Sequence, residues 1–252
     1  MDPPIGKAQE QLFAPGTTSA AKYAALVVGR PGFGALLKYE FVVTLAQARA
    51  GAIGLALRKT MYPWLLGSCG RNVIFGQNVV LRHPHKIHIG DNVVIDDNCL
   101  LDAKGESNHG IRIASRVFVG RNTILSCKNG DIELADGANL GFNCEVFSAS
   151  RVTVGKDVLM AAYSYIIGGD HDFSDPSAAV LTQSRKSAGV TIGDGAWLGA
   201  GAKILDGVRV GDRAIVGAGA VVRETVPSGA IAVGIPARVV GSRDQATSRS
   251  DV

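Results

Sequence analysis

Aliphatic residues recur at every sixth position over the last third of the chain. Ile192, Leu198, Ile204, Val210, Val216 and Val222 are evenly spaced, and glycine follows at 193, 199, 211 and 217. The same unit returns upstream as IGDNVV, IDDNCL, VGRNTI, LGFNCE and VGKDVL. A period of six is neither the 3.6 of an amphipathic helix nor the alternation of a half-buried strand. The units group in threes, with faces starting at 75/81/87, 89/95/101, 113/119/125, 134/140/146, 154/160/166, 192/198/204 and 210/216/222. Seven coils of three short strands follow. At about 4.8 Å per parallel strand, they predict a prism about 30 Å tall. The expected fold class is an all-β solenoid.

Each position in the unit has a physical job. The opening aliphatic residue points inward and stacks on its copies above and below. The residue four later must fit inside a corner, so it is small: Ala196, Ala202, Val208, Ala214 and Ala220, with Cys99 and Cys144 in other coils. Those cysteines read as apolar fillers, and a covalent route through Cys144 is disfavoured by that position. Gly, Asn and Asp fill the turns because they tolerate positive φ.

The period is absent before the first coil. Residues 20 to 68 read as helices, AAKYAALVV, GALLKYEFVVTLAQARA and GLALRKTMYPWLL, punctuated by Gly29, Pro31, Gly32, Gly51 and Pro63. The expected organisation is a helical extension over 1–70, a solenoid over 71–240 and a flexible tail over 241–252, with residues 1 to 19 also flexible. The helices would cap the open first coil, whose strand edge otherwise invites pairing. A second reading is a peripheral membrane or partner contact through residues 20–68, where Lys22, Arg30, Lys38, Arg49, Arg58 and Lys59 sit among apolar faces.

Composition narrows the functions. The 32 glycines and 6% aromatics suit a backbone that turns tightly and often. A formal charge of +4 is mild and scattered, so no nucleic-acid partner is expected. Cys69, Cys99, Cys127 and Cys144 form no CxxC pair and no zinc pattern, which suits reduced thiols in a cytoplasmic protein. The start MDPPIGKAQE has no apolar core of a signal peptide, and Phe41 to Leu57 is too short and too charged to span a membrane.

Two stretches break the repeat: AKGESNHGI at 103–111 and GGDHDFSDPSAAVLTQSRKSAG at 168–189. A regular prism has no pocket, so specificity is expected where loops leave it. The second break carries His171.

The repeat over residues 73 to 240 resembles the hexapeptide-repeat transferase family. That resemblance, not the period, implies a left-handed parallel β-helix, since parallel crossovers are otherwise right-handed. The stretch from Gly141 to Gly241 is similar to the galactoside, maltose and polysaccharide O-acetyltransferase branch. The matching runs are FNCEVFSASRVTVGKDVLM, then His171, then VTIGDGAWLGAGAKILDGVRVGDRAIVGAGAVVRETVPSGAIAVGIPARVVG. The resemblance implies His171 as general base in direct acetyl transfer from the co-substrate acetyl-CoA to a sugar hydroxyl, with no metal required. A neutral imidazole suits that role because a hydroxyl is a poor nucleophile at neutral pH.

Asp172, Asp170 and Glu145 are candidates to orient His171. The glutamate that the branch carries later in the loop is not evident; Ser184 and Arg185 lie near that position. Asn143 matches an acceptor-binding asparagine, but the carboxylate that follows it in the galactoside enzymes is replaced by Ser148 and Ala149, which implies a different acceptor. Tyr163 and Tyr165 are further acceptor-site candidates. Coenzyme A is implied along Trp197, Gly199, Ala200 and Ala218, with Arg223 and Arg238 for its phosphates; Glu224 stands where a lysine is common. Homotrimers with sites at subunit boundaries are implied as well. The expected acceptor is a sugar or lipid-linked saccharide, at the inner face of the membrane if the helices touch it. Two rivals stand beside O-acetylation: N-acetylation of an amino sugar or other amine, and a non-catalytic scaffold. A γ-class carbonic anhydrase needs three converging histidines, and the spacing of His83, His85, His88, His109 and His171 does not suit one.

Overall fold

A computed structural model describes residues 18–243. The chain winds as a parallel β-solenoid whose hexapeptide repeats fit the left-handed form. Strands stack into three faces, and each face holds one continuous inward column. Cys69, Ile89, Ile113, Leu134, Val154, Ile192 and Val210 align on the first face. Phe75, Ile95, Val119, Leu140, Met160, Leu198, Val216 and Ala232 align on the second. Leu81, Leu101, Leu125, Val146, Ile166, Ile204 and Val222 align on the third. All but Cys69 are buried, so the prism is a solid apolar core. Because the columns coincide with the six-residue period, stacking rather than local propensity holds these short strands.

Seven full coils are present, with Val226 and Ala232 adding part of an eighth. The first coil corrects the phase read from sequence: it is Cys69/Phe75/Leu81. Ile87 pairs with Ile111, so it belongs with Ile89 on the second coil. The corner before it holds a 3-10 turn, Pro84–Lys86, which a strict count by six slides past.

The corners explain the asparagines. Asn72, Asn78, Asn92, Asn98, Asn122 and Asn143 all have φ between 55° and 61°. Some also form side-chain ladders, as where Asn78 Nδ2 donates to Asn98 Oδ1 at 3.1 Å.

The N-terminal helices are α1 (Ser19–Tyr23, running into a π turn at Ala24–Val28), α2 (Phe33–Ala46) and α3 (Gly51–Met61, followed by a 3-10 turn at Tyr62–Trp64). They close the first coil by hydrogen bonding to its exposed carbonyls. The buried Tyr39 and Tyr62 hydroxyls donate to Leu81 O and Val79 O, each at 2.9 Å. Burial pushes both phenols well above their usual range, so they stay protonated donors. Arg58 departs from the surface role read from sequence. It is only 3% exposed. Its Nε donates to Phe75 O at 2.9 Å, and its Nη1 donates to Ala46 O at 3.1 Å and Arg49 O at 2.6 Å. The guanidinium thus ties the end of α2 to the first coil.

At the far end, Ala230–Gly234 joins the second face and Ala237–Ser242 folds back on it through a cis Ile235–Pro236 bond. Of the stretches expected to be flexible, 1–19 and 241–252, residues 1–17 and 244–252 lie outside the described residues, while Ser19 opens α1 and Gly241 and Ser242 belong to the last paired strand. Among the described residues, no helix is long and apolar enough to cross a membrane.

Candidate active site

On the third face, the strands Ile124–Cys127, Glu145–Ser148 and Tyr165–Gly168 lengthen to four residues. The extra length carries the chain past the corner and starts the second break. Gly168 and Gly169 sit against neighbouring coils: an added Cβ would lie 2.7 Å from Val152 Cγ2 at the first and 2.6 Å from Ala149 Cβ at the second. The loop leaves as an antiparallel hairpin, Asp170–His171 paired with Arg185–Lys186, in which His171 faces Arg185.

A groove of about 230 Å³ forms between this hairpin and the third face. It is lined by Lys128, Phe147, Ser148, Ala149, Tyr165, Ile167, Gly168, Gly169, Asp170, His171 and Arg185. Phe147 and Tyr165 pack with ring centroids 5.8 Å apart and make its floor. Burial, and then the Glu145 charge, raise the Tyr165 phenol above its usual pKa. His171 Nδ1 is buried with no hydrogen-bond partner. Such an orphan costs free energy in a folded protein; the other one among the described residues is His85 Nδ1 at the joint with the N-terminal helices, so it is the groove around His171 that gives this one its interest. Nε2 is the ring nitrogen left accessible.

None of the three carboxylates considered for orienting His171 bonds its Nδ1. Asp172 accepts from Ser174 N at 3.0 Å and from Lys186 Nζ at 3.1 Å. Hydrogen bonds from Ser174, then Lys186, hold its carboxyl at about 2. Its work is to close the hairpin. Asp170 lines the groove, but its Oδ1 accepts from the backbone N of His171 at 2.7 Å, not from the ring. Glu145 pairs across the face with Tyr165, outside the groove lining.

Asn143 and Tyr163 occupy the corner between the second and third faces, and Tyr165 alone of the three acceptor candidates lines the groove. Asn143 is a corner residue at φ 56°, so the fold requires an αL-tolerant side chain there. Tyr163 occupies the next corner in the stack at φ 63°, where a bulky side chain is strained. Its exposed ring packs edge-on to Phe142 at 5.6 Å, and Phe142 in turn sits under Arg121 at 4.8 Å. Cys144 is fully buried, and burial raises its thiol pKa, which suits a filler and not a nucleophile.

The residues matched to coenzyme A lie on the last two coils. Trp197 is half exposed on the second face, and Ala200 and Ala218 are exposed at the following corner. Gly199 has a structural reason of its own: an added Cβ would stand 2.6 Å from Ala218 N. Arg223 and Arg238 converge on Glu224, at 3.6 and 3.8 Å from its Oε1.

Sequence reasoning passed over Lys128 and Phe147, which the stacking of coils brings to the groove, and placed Arg185 only near a family position. The hairpin register shows that Arg185 faces His171. Among the described residues, no group of three or more His, Cys, Asp and Glu is arranged to hold a metal ion. His83 instead donates from Nε2 to Ala25 O at 2.9 Å.

Residues 189–224 match the model of the bacterial transferase hexapeptide family (six repeats). The chain is 31% identical to a probable acetyltransferase of Mycobacterium tuberculosis, over 72% of this chain and 58% of the relative. It is 36% identical to nodulation protein L of Rhizobium leguminosarum bv. viciae, over 56% of this chain and 76% of that protein. It is 26% identical to a putative lipopolysaccharide biosynthesis O-acetyl transferase of Escherichia coli K12, over 56% of this chain and 74% of that one. An N-acyltransferase from Bacillus cereus, solved in complex with dTDP and coenzyme A, shares the fold with a TM-score of 0.52 at 23% identity, over 81% of this chain and 97% of the other.

Proposed function

We propose an activity from one premise: the chain belongs to the bacterial hexapeptide-repeat transferase family. The activity is transfer of an acetyl group from acetyl-CoA to a hydroxyl of a saccharide, with His171 as general base. The observation that carries it is the imidazole in the one long break of the repeat, lining a groove with an accessible Nε2. The mycobacterial and E. coli relatives bear acetyltransferase names, which supports the acyl group and, in the second, the hydroxyl acceptor.

The chemistry needs little apparatus. His171 Nε2 takes the acceptor hydroxyl proton as that oxygen bonds to the thioester carbonyl carbon. The carbon–sulfur bond then breaks, and the imidazolium returns the proton to the departing thiolate. Direct transfer leaves no acetyl group on the protein, which agrees with the inert burial of Cys144. Nδ1 would carry the hydrogen in the neutral ring, and none of Asp170, Asp172 and Glu145 accepts it.

The late coils fit acetyl-CoA in part. Trp197 and the exposed alanines at 200 and 218 offer a narrow apolar strip for a pantetheine chain. Arg223 and Arg238 offer cations for phosphates, though Glu224 now lies between them and must be displaced. A homotrimer, with neighbouring prisms sharing these sites, is part of the proposal.

The test is an acceptor screen with acetyl-CoA, following free thiol and product. Removing a general base costs about 10²–10⁴-fold in rate, so His171→Ala should lose transfer on that scale while the circular dichroism spectrum stays unchanged. Full transfer by His171→Ala would sink the mechanism, and no transfer by the wild type to any acceptor would favour a scaffold. Product analysis separates an acetyl ester from an amide, and so O- from N-acetylation.

A further inference from the structure

We propose that the His171 groove takes an acceptor carrying an anionic group, a carboxylate or a phosphate, held by Lys128 and Arg185. This rests on the reading of the groove as the acceptor site.

The argument starts from the hairpin. Arg185 is the direct cross-strand partner of His171. Directly opposed residues in an antiparallel pair project from the same face, so the guanidinium and the imidazole share one side of the hairpin. Both line the groove, and Lys128 enters it from the prism side, its Nζ 5.9 Å from the Phe147 ring centroid. Two cations from separate parts of the fold therefore border one small cavity beside the accessible imidazole nitrogen.

These cations have no ion-pair partner, and Asp102 is the one carboxylate whose charge reaches Lys128. Among the described residues, neither Lys128 nor Arg185 makes an ion pair or a side-chain hydrogen bond. Asp172 is paired with Lys186, and Asp102 also lies 3.8 Å from Arg82. Asp170 accepts from the His171 backbone. Partial burial, then Lys104 and Arg185, make the Lys128 ammonium easier to deprotonate, the expected result of like charges close together and partly withdrawn from water. An arrangement that repels itself when empty gains when an anion enters. A guanidinium offers a planar fork to a carboxylate or phosphate, and an ammonium adds a point charge from the other wall. An anion held there would set a neighbouring sugar hydroxyl within reach of Nε2.

Binding without acetyl-CoA separates this proposal from the chemistry. Titration calorimetry at low salt would use three probes: a tetrasaccharide with alternating uronic acids, glucose 6-phosphate, and neutral maltotetraose. A charge-assisted contact supports at least about tenfold in affinity, so one or both anionic probes should bind at least that much tighter than maltotetraose. Arg185→Gln and Lys128→Gln should each remove most of the preference, Arg185→Lys should restore part of it, and added salt should weaken it. Tighter binding of the uronate or of the phosphate tells which anion the groove suits. Equal affinity for charged and neutral probes, no measurable binding of any of them, or full binding by both glutamine variants overturns the proposal. If the preference holds while acetyl transfer fails, the anion site stands and the reading of the reaction falls.

Discussion

At the scale of single residues, the same small side chain answers to two demands, and Gly199 separates them. It matches a family position beside coenzyme A, yet the next coil's backbone already forbids any Cβ there. Gly199→Ala should therefore lose about 1–3 kcal/mol of stability by overpacking, with or without co-substrate. Ala200 sits beside it and is exposed. Ala200→Val should leave stability within about 0.5 kcal/mol and weaken coenzyme A binding. Chemical denaturation alongside calorimetry reads both. If Gly199→Ala unfolds like the wild type, the coil contact is not what fixes that glycine. Asn143 needs the same care: it is a corner residue before it is a ligand, and only substitution by another αL-tolerant residue, such as glycine, tests it fairly.

At the scale of elements, the repeat was legible because every inward column demands an aliphatic residue, and that demand recurs by six. The phase slipped at Ile87 where the Pro84–Lys86 turn lengthens a corner. The groove was half legible. His171 stood out as chemistry in a break, but Lys128 reaches it only because coils stack, and no local pattern announces that. Arg58 was read as surface because arginine is rarely buried; its three backbone acceptors supply the exception.

The joint between helices and prism makes a pH prediction. His83 and His85 lie at the corner under the π turn, where the His83 backbone N donates to Val27 O at 2.7 Å and its ring donates to Ala25 O. Burial, then the charges of Arg30, His83 and Lys86, hold His85 down at about 4; burial lowers His83 too. The folded state thus binds fewer protons than the unfolded state, whose histidines titrate near 6.5. Stability at this joint is full above that value and declines as pH falls toward about 4. The hydrogen-exchange protection of residues 24–46, corrected for the intrinsic rate at each pH, should fall over that window by more than that of the late coils, and His85→Gln should blunt the change. An equal loss of protection along the whole chain would refute a local joint.

At the scale of the whole molecule, the helical extension has two faces with separate work. Tyr39, Val42, Ala46, Arg58 and Tyr62 are buried against the first coil. Phe33, Leu37, Phe41 and Ile53 are exposed, with Phe33 and Ile53 at 72% and 75%; Lys38 and Lys59 are exposed on the same helices, and Arg49 is exposed in the connection between them. Large apolar side chains beside lysine and arginine are the pattern expected of the membrane or partner contact anticipated for residues 20–68, which calls for a test. Deleting residues 1–68 cannot test this, because it also strips the cap from the first coil and opens a strand edge to aggregation. Substitution on one face at a time can. The triple variant Phe33→Ser, Phe41→Ser, Ile53→Ser should keep the wild-type Tm and lose flotation with vesicles containing phosphatidylglycerol. Arg58→Met should do the reverse, lowering stability by about 3 kcal/mol or more as three buried carbonyls lose their donor, while the folded fraction still floats. Flotation of the triple variant at the wild-type level would reject the membrane reading of residues 20–68 and leave the helices as a cap alone.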